Sequence, residues 1–407
     1  MAFDAELVRQ DFPILQQHVY GKPLVYMDNG ATTQKPQAVI DCLVRMYRTM
    51  NANIHRGVHF LSEQATECYE QSRRTVQTFI HAPFAEEIIF TRGATDSINA
   101  VAFSFGEAFV QAGDEILVSE MEHHSNIVPW QMMCDRKKAH LKVIPMHDDG
   151  TLDLEAFRAR LSGRTRLVAV TQVSNTLGTV NPVADIIREA HQAGARVLID
   201  AAQSVQHLSI DVQQLDCDFL AFSGHKLYGP TGVGVLYGRR DLLNEMPPYQ
   251  GGGDMISCVT FEKTTYNELP LKFEAGTNNY IDAAGLACAI DYLTALGMPE
   301  LQAYEEHLTQ YALSQLKAIP GLRLYGEAPE RAAIFSFLVD GIHPYDMGMV
   351  LDKLGIAVRT GTHCTQPVMD HYGIDGTVRA SLAFYNTEKE IDVLCEGISR
   401  AKKILLA

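Results

Sequence analysis

The sequence predicts an α/β protein: a large domain on a mostly parallel seven-stranded sheet, followed by a smaller C-terminal α/β domain. Short apolar runs without polar alternation recur along the chain, which is how strands buried on both faces read. Amphipathic helical segments fall between them. After about residue 290 the pattern changes to long helices with a few short strands.

In chain order the strand candidates are Glu87–Thr91 (EIIFT), Glu115–Glu120 (EILVSE), Leu141–Pro145 (LKVIP), Leu167–Gln172 (LVAVTQ), Arg196–Asp200 (RVLID), Asp218–Phe222 (DFLAF) and Gly232–Tyr237 (GVGVLY). Helices are expected at Thr95–Val110, Leu154–Leu161 and Val183–Ala193. Later come helices at Ala283–Ala295 and Glu300–Ala318, then strands near Leu322–Tyr325 and Ala333–Leu338. A further element at Tyr345–Leu354 and a final helix at Glu388–Leu405 complete the chain. Leu296-Gly297-Met298-Pro299 is the clearest punctuation. The expected division is a large domain over 23–293 and a small domain made of 1–22 and 294–407.

A chain of 407 residues, 46% hydrophobic and 20% charged, has ample material for a large core. Its formal net charge of -15 argues against nucleic acid or an anionic membrane as the main partner. A local basic pocket for a small anion remains compatible with that balance. The N-terminus MAFDAELVRQDFPILQQ has no apolar core of a secretory signal, and no run approaches the roughly 18 apolar residues that span a bilayer. A cytoplasmic location is therefore expected.

Eight cysteines are scattered without a C-x-x-C pair. Cys288, in AAGLACAIDYL, reads as a small core residue. Cys364 differs, because RTGTHCTQP is a polar loop bounded by Gly361 and Pro367 with Arg359 and His363 beside the thiol. By itself that loop fits a thiolate, a metal ligand or an ordinary cysteine. His123/His124 and His363/Cys364 lack the spacing of structural zinc pairs, so no metal is expected.

Ligands in open α/β sheets sit at the carboxyl ends of strands. EIIFT runs into Arg92-Gly93-Ala94-Thr95, where a glycine turn opens a helix whose first N–H groups suit a phosphate. An ordinary capped helix has the same look. RVLID ends in Asp200, a carboxylate that needs a cation, or serves as a helix cap, at the end of a buried strand. DFLAF enters Ser223-Gly224-His225-Lys226, where burial would lower the lysine pKa; a surface lysine is the plain alternative. An acid for a pyridinium nitrogen, a lysine for a carbonyl group and a helix start for phosphate together are what pyridoxal 5'-phosphate requires.

The order and spacing of these parts resemble fold-type I pyridoxal phosphate enzymes, and D-x-x-Q followed by S-x-H-K resembles the class V aminotransferase superfamily. The likeness covers nearly the whole chain and is strongest to group II cysteine desulfurases (the SufS/CsdA type). It is carried by YMDNGATT, NIHRGVH, Thr91–Asn99, E-H-H-x-N from Glu122, V-S-N-x-x-G from Val173, SGHKLYGP, FEAGT and RASLAFYNT. Around the cysteine the family reads R-x-G-H-H-C-A and this chain R-T-G-T-H-C-T. Thr362 and Thr365 depart from the pattern, as do Asn278 and Tyr280 in the FEAGT loop.

The resemblance implies that Lys226 carries the cofactor, Asp200 holds the pyridinium nitrogen, Gln203 contacts the phenolic oxygen and His123 stacks on the ring. Ala94, Thr95, Ser223 and His225 would bind phosphate, joined by Thr277 from the other subunit of a homodimer. Arg379 and Asn175 would hold the substrate carboxylate, with Arg359 at the entrance and His55 in a nearby loop. Cys364, its thiolate favoured by Arg359 and His363, would take sulfur from L-cysteine as a persulfide. The product would be alanine, with the sulfur destined for a SufE-like or SufU-like acceptor in iron–sulfur cluster assembly. Selenocysteine lyase, or a class V transaminase or kynureninase, is the same-fold rival. A cofactor-bound scaffold without turnover is a third reading, opposed by Lys226, Asp200 and Cys364 together.

Overall fold

Seven short runs pair into one sheet: β1 (Ile88–Thr91), β2 (Glu115–Ser119), β3 (His140–Ile144), β4 (Thr165–Thr171), β5 (Arg196–Asp200), β6 (Phe219–Ser223) and β7 (Gly234–Gly238). The computed structural model describes residues 3–406. The spatial order is β1-β7-β6-β5-β4-β2-β3. Only β7 runs antiparallel to its neighbours, so the mostly parallel seven-stranded sheet expected above is what forms.

Alternate residues of each strand enter different cores. Leu117, Val168, Val170, Val197, Ile199, Leu220 and Phe222 face one cluster, and Ile116, Val118, Leu167, Ala169, Leu198, Phe219 and Ala221 face the other. Each fully buried Val, Leu, Ile or Phe stabilises the fold by about 1.5–3 kcal/mol. Two buried faces leave no place for polar alternation, which is why the strands read as continuous apolar runs.

The helices that frame the site are α1 (Gln37–Thr49), α2 (Phe60–Phe79), α3 (Ala94–Phe109) and α4 (Tyr280–Leu296). α3 lays Ile98, Val101 and Phe105 on one face of the sheet. α2 and α4 cover the other with Tyr69, Val76, Ile281, Leu286, Ile290 and Leu293. α4 is apolar almost all round, the mark of a core helix. No single helix among the described residues is long and apolar enough to cross a membrane.

A second, antiparallel sheet joins β8 (Leu322–Tyr325), β9 (Ile334–Val339), β10 (Arg359–Gly361) and β11 (Thr377–Ser381) in the order β8-β9-β11-β10. Its core combines Phe335, Phe337, Val378 and Ala380 with Leu351, Ile391, Leu394 and Ile398 of the helices Pro344–Lys353 and Glu388–Leu405. Thr387 and Glu390 close the start of that last helix as a reciprocal cap. Val25 and Met27 pack in this second core, whereas Val8, Phe12 and Leu15 pack in the larger one. Val25–Tyr26 pairs in parallel with Ile356–Ala357 and so brings the following segment under β11.

Candidate active site

The loops leaving β2, β4, β5 and β6 meet the start of α3 and the edge of the second sheet around a cavity of about 190 Å³. β5 ends in Asp200, whose Oδ1 accepts the Ala202 N–H at 2.9 Å. Burial pushes its carboxyl above the usual range, against the opposing pull of that N–H and of Lys226. β6 ends in Ser223, and the tight turn Gly224–Lys226 returns Lys226 to the cavity wall. Burial lowers the Lys226 amine to about 8, with Asp200 acting in the other direction.

Ser223 also anchors the start of α3, since its hydroxyl accepts the Ala94 N–H at 2.8 Å. β7 must run close beside this turn: a Cβ on Gly234 would collide with the Gly93 backbone. Ala94, Thr95, Ser223 and His225 thus line one end of the cavity. His225 is held near a pKa of about 4 by burial and the charges of Lys226 and Lys35. Its carbonyl receives the Thr33 N–H at 3.1 Å, the Thr32 hydroxyl at 3.0 Å and Lys35 Nζ at 2.9 Å.

His123 follows β2 and lines the same cavity. Burial lowers it to about 3, helped by Lys226, so its imidazole is neutral and accepts the Ser125 N–H at Nδ1. Beneath it Glu122 accepts from the Asn126 amide at 2.6 Å and the Thr171 N–H at 2.8 Å, tying β2 to β4. Gln203 donates to the Gly30 carbonyl at 2.7 Å. Arg379, fully buried on β11, donates to the Asn175 carbonyl at 2.8 Å and to Asp28 Oδ1 at 3.0 Å, while its Nε has no partner.

Cys364 stands beside the cavity, behind Arg359, which lines it and reaches the thiol with Nη2 at 3.6 Å. The loop is held by its main chain. Asn175 Nδ2 donates to the His363 carbonyl and the His124 N–H to the Cys364 carbonyl, both at 2.8 Å. His363 and Cys364 sit at φ +52° and +61°, a left-handed pair that side chains disfavour. His363 is not a second cation: its Nε2 meets the Thr377 hydroxyl at 2.8 Å and burial lowers it to about 3. Among the described residues, Arg359 is the cationic side chain that donates a hydrogen bond to the sulfur. Arg359→Gln is expected to slow alkylation of Cys364 by iodoacetamide several-fold, because it removes the cationic side chain that donates to the sulfur. An unchanged rate would remove Arg359 from thiol activation.

Thr365 is completely buried. Its hydroxyl donates to the Thr362 carbonyl at 2.9 Å and pairs with the Thr176 hydroxyl at 2.7 Å. An alanine here would leave the Thr176 hydroxyl only the long contact from Asn175 Nδ2 at 3.4 Å and no acceptor for its proton. Thr365→Ala should therefore destabilise the protein by about 1–3 kcal/mol in urea unfolding, and Thr365→Ser by much less.

Two expected site residues lie outside this chain's own cavity, Thr277 as a residue expected from a second subunit would. His55 bonds Glu70 through Nε2 at 3.1 Å, and Thr277 is exposed, 3.4 Å from Asn53 Oδ1. Asp28, Lys35 and Glu122 support the cavity without having been singled out from sequence. Asp28 was visible inside YMDNGATT, but nothing local to that motif points to Arg379.

The model of the family described as aminotransferase class V matches residues 25–394. The chain belongs to that family. Among curated relatives it is 53% identical over 406 residues to a cysteine desulfurase of Salmonella agona (strain SL483), and as similar to one of Salmonella typhimurium (strain LT2), each comparison covering 100% of both chains. Among solved structures it is similar to the cysteine desulfurase CsdA of Escherichia coli, crystallised as the S-sulfonic acid, with TM-score 0.92 and 38% identity. It is also similar to an apo cysteine desulfurase of Thermococcus onnurineus NA1, with TM-score 0.93 and 38% identity. Both cover 100% of each chain. The family and fold expected from the motifs are therefore borne out.

Proposed function

We propose that this enzyme is a pyridoxal 5'-phosphate-dependent cysteine desulfurase, converting L-cysteine to L-alanine with transfer of sulfur to Cys364. The observation that carries the reading is a buried Lys226–Asp200 site whose entrance arginine, Arg359, touches a cysteine thiol. The residues fit the cofactor. Lys226 has a depressed amine for covalent attachment, Asp200 has no basic side chain other than Lys226 acting on it among the described residues, and the nearest side-chain atom at the Gly93 turn is the hydroxyl of Ser223, itself one of the phosphate-binding candidates. Lys226 would hold the aldehyde carbon, Asp200 the ring nitrogen, Gln203 the phenolic oxygen and His123 the ring face. Ala94, Thr95, Ser223 and His225 would hold the phosphate. The cofactor supplies an electron sink for the amino acid's Cα electrons.

The chain's own groups do the rest. The unpartnered Nε of buried Arg379 would receive the substrate carboxylate, with Asn175 beside it. Lys226 Nζ takes the Cα proton, and its depressed pKa makes the neutral amine available for that. Cys364 as thiolate attacks the substrate sulfur, the substrate C–S bond breaks with its electron pair on Cβ, Cβ takes up the proton that the Cys364 thiol gave up, and a persulfide remains on Cys364. Lys226 returns its proton and alanine leaves.

The two cores support a large and a small domain, but Phe12 and Leu15 of the 1–22 segment pack on the large one and Val25 and Met27 on the small one, so the cores do not divide at residue 23 as the 23–293 and 1–22 plus 294–407 assignment would have them. A homodimer is supported by exposed Val58 and Phe60 beside His55 and by the exposed Thr277, which a second subunit would bring to the phosphate. A SufE-like or SufU-like protein in the cytoplasm would receive the sulfur for iron–sulfur cluster assembly. The deciding experiment supplies L-cysteine and L-selenocysteine with and without such an acceptor. Alanine from L-cysteine, faster with acceptor, is expected. Alanine from selenocysteine alone would make this a selenocysteine lyase, and amino transfer to a keto acid without sulfur release would make it a transaminase.

A further inference from the structure

A second group of thiols lies away from the catalytic cavity. α1 and α4 approach so closely that a Cβ on Gly285 would come within 2.8 Å of Leu43 Cδ2. Across this seam Cys42 Sγ donates to the Ala284 carbonyl at 3.7 Å. Cys288 stands one turn beyond Ala284 on the same face of α4. Cys42 and Cys288 line one cavity of about 330 Å³, together with Cys68 of α2, Arg45, Glu67 and Asp291. Helices in such close contact suit a disulfide, which needs Cα atoms about 4.4–6.8 Å apart.

The three thiols are not equivalent. Arg45 Nη2 lies 3.9 Å from Cys42 Sγ. The adjacent Cys288 thiol is the largest cause that favours the Cys42 thiolate, with burial opposing it and Arg45 adding to it. Cys288 moves upward with its proton, and burial also raises Cys68, whose sulfur contacts Met46 Sδ at 3.7 Å. The sulfur that Arg45 reaches thus neighbours a second thiol, at a surface cavity.

We propose that Cys42 and Cys288 form a reversible disulfide between α1 and α4 when a peroxide enters this cavity. The Cys42 thiolate attacks one peroxide oxygen, the O–O bond breaks, and the departing hydroxide takes a proton and leaves as water. Cys42 is then a sulfenic acid. The Cys288 sulfur attacks Cys42, the S–O bond breaks, and the hydroxide departs as water with the Cys288 proton. Two thiols lose two electrons and the peroxide is reduced to two waters. A dithiol reductant reverses the bond by exchange.

The test treats the holoenzyme with hydrogen peroxide, alkylates the remaining thiols and maps the digested peptides by mass spectrometry. A Cys42–Cys288 linked peptide, reversed by dithiothreitol and formed before exposed Cys258 is oxidised, is the expected result. Cys288→Ser should trap Cys42 as a dimedone-reactive sulfenic acid, and Arg45→Gln should slow Cys42 oxidation several-fold at pH 7. Cys258 oxidised while Cys42 stays reduced, or a Cys42–Cys68 link in place of Cys42–Cys288, would overturn the proposal.

Discussion

Cys364→Ala is expected to keep the yellow colour of the wild-type holoenzyme and to release no alanine from L-cysteine above background. The colour belongs to Lys226 and Asp200, and the cysteine loop touches neither of them by hydrogen bond. Turnover belongs to Cys364, because without its sulfur nothing receives the substrate sulfur as the C–S bond breaks. The loss should span several orders of magnitude, as when a nucleophile is removed from an enzyme that depends on it. Alanine and persulfide assays check this, and full turnover by the variant would make Cys364 incidental. Selenocysteine turnover surviving alone would mean that the selenium leaves without needing the thiol.

Lys226→Ala should lose both the visible absorption band and activity, since the same amine attaches the cofactor and moves the Cα proton. A colourless wild type after incubation with the cofactor would sink the cofactor assignment itself. A second consequence of this lysine needs no cofactor at all. Its amine is lowered from 10.5 to about 8 in the folded chain, so the unfolded chain binds its proton more tightly. The charged form therefore weakens the cofactor-free fold at pH 7, by up to about 3 kcal/mol for a gap of this size. Cofactor-free Lys226→Met should unfold at higher urea than wild type at pH 7. That advantage should shrink as pH rises from 8 through 10.5, above which the lysine is neutral in both states. No difference between the two proteins at pH 7 would count against a depressed amine.

Much of this site is legible because its parts are short and local. A strand buried on both faces announces itself by composition, and Asp200, Ser223 and Lys226 follow directly from the ends of two such strands. β10 and β11 escaped notice, although they carry Arg359 and Arg379. TVRAS places an arginine in mid-strand, which reads as polar; its burial is balanced by Asp28 and the Asn175 carbonyl, both remote in the chain. Partners brought together only by folding leave no local pattern. The same holds for Lys35, whose acceptor is the His225 carbonyl, and for Thr365, whose departure from the family pattern gains meaning only beside Thr176. His363 shows the opposite error: a histidine next to a thiol suggests a cation, yet burial keeps it neutral.

The main-chain grip on the cysteine loop separates holding from reacting. The two main-chain anchors end on carbonyl oxygens, those of His363 and Cys364, and neither they nor the side-chain anchors at His363 and Thr365 involve the sulfur. Of the hydrogen bonds at Cys364, only the one from Arg359 reaches Sγ. A second sulfur can therefore be added to the side chain, carried and given away without breaking any bond that keeps the loop in place. The loop is as well anchored loaded as empty, so release of the sulfur depends on access to it and needs no refolding of the segment that bears it.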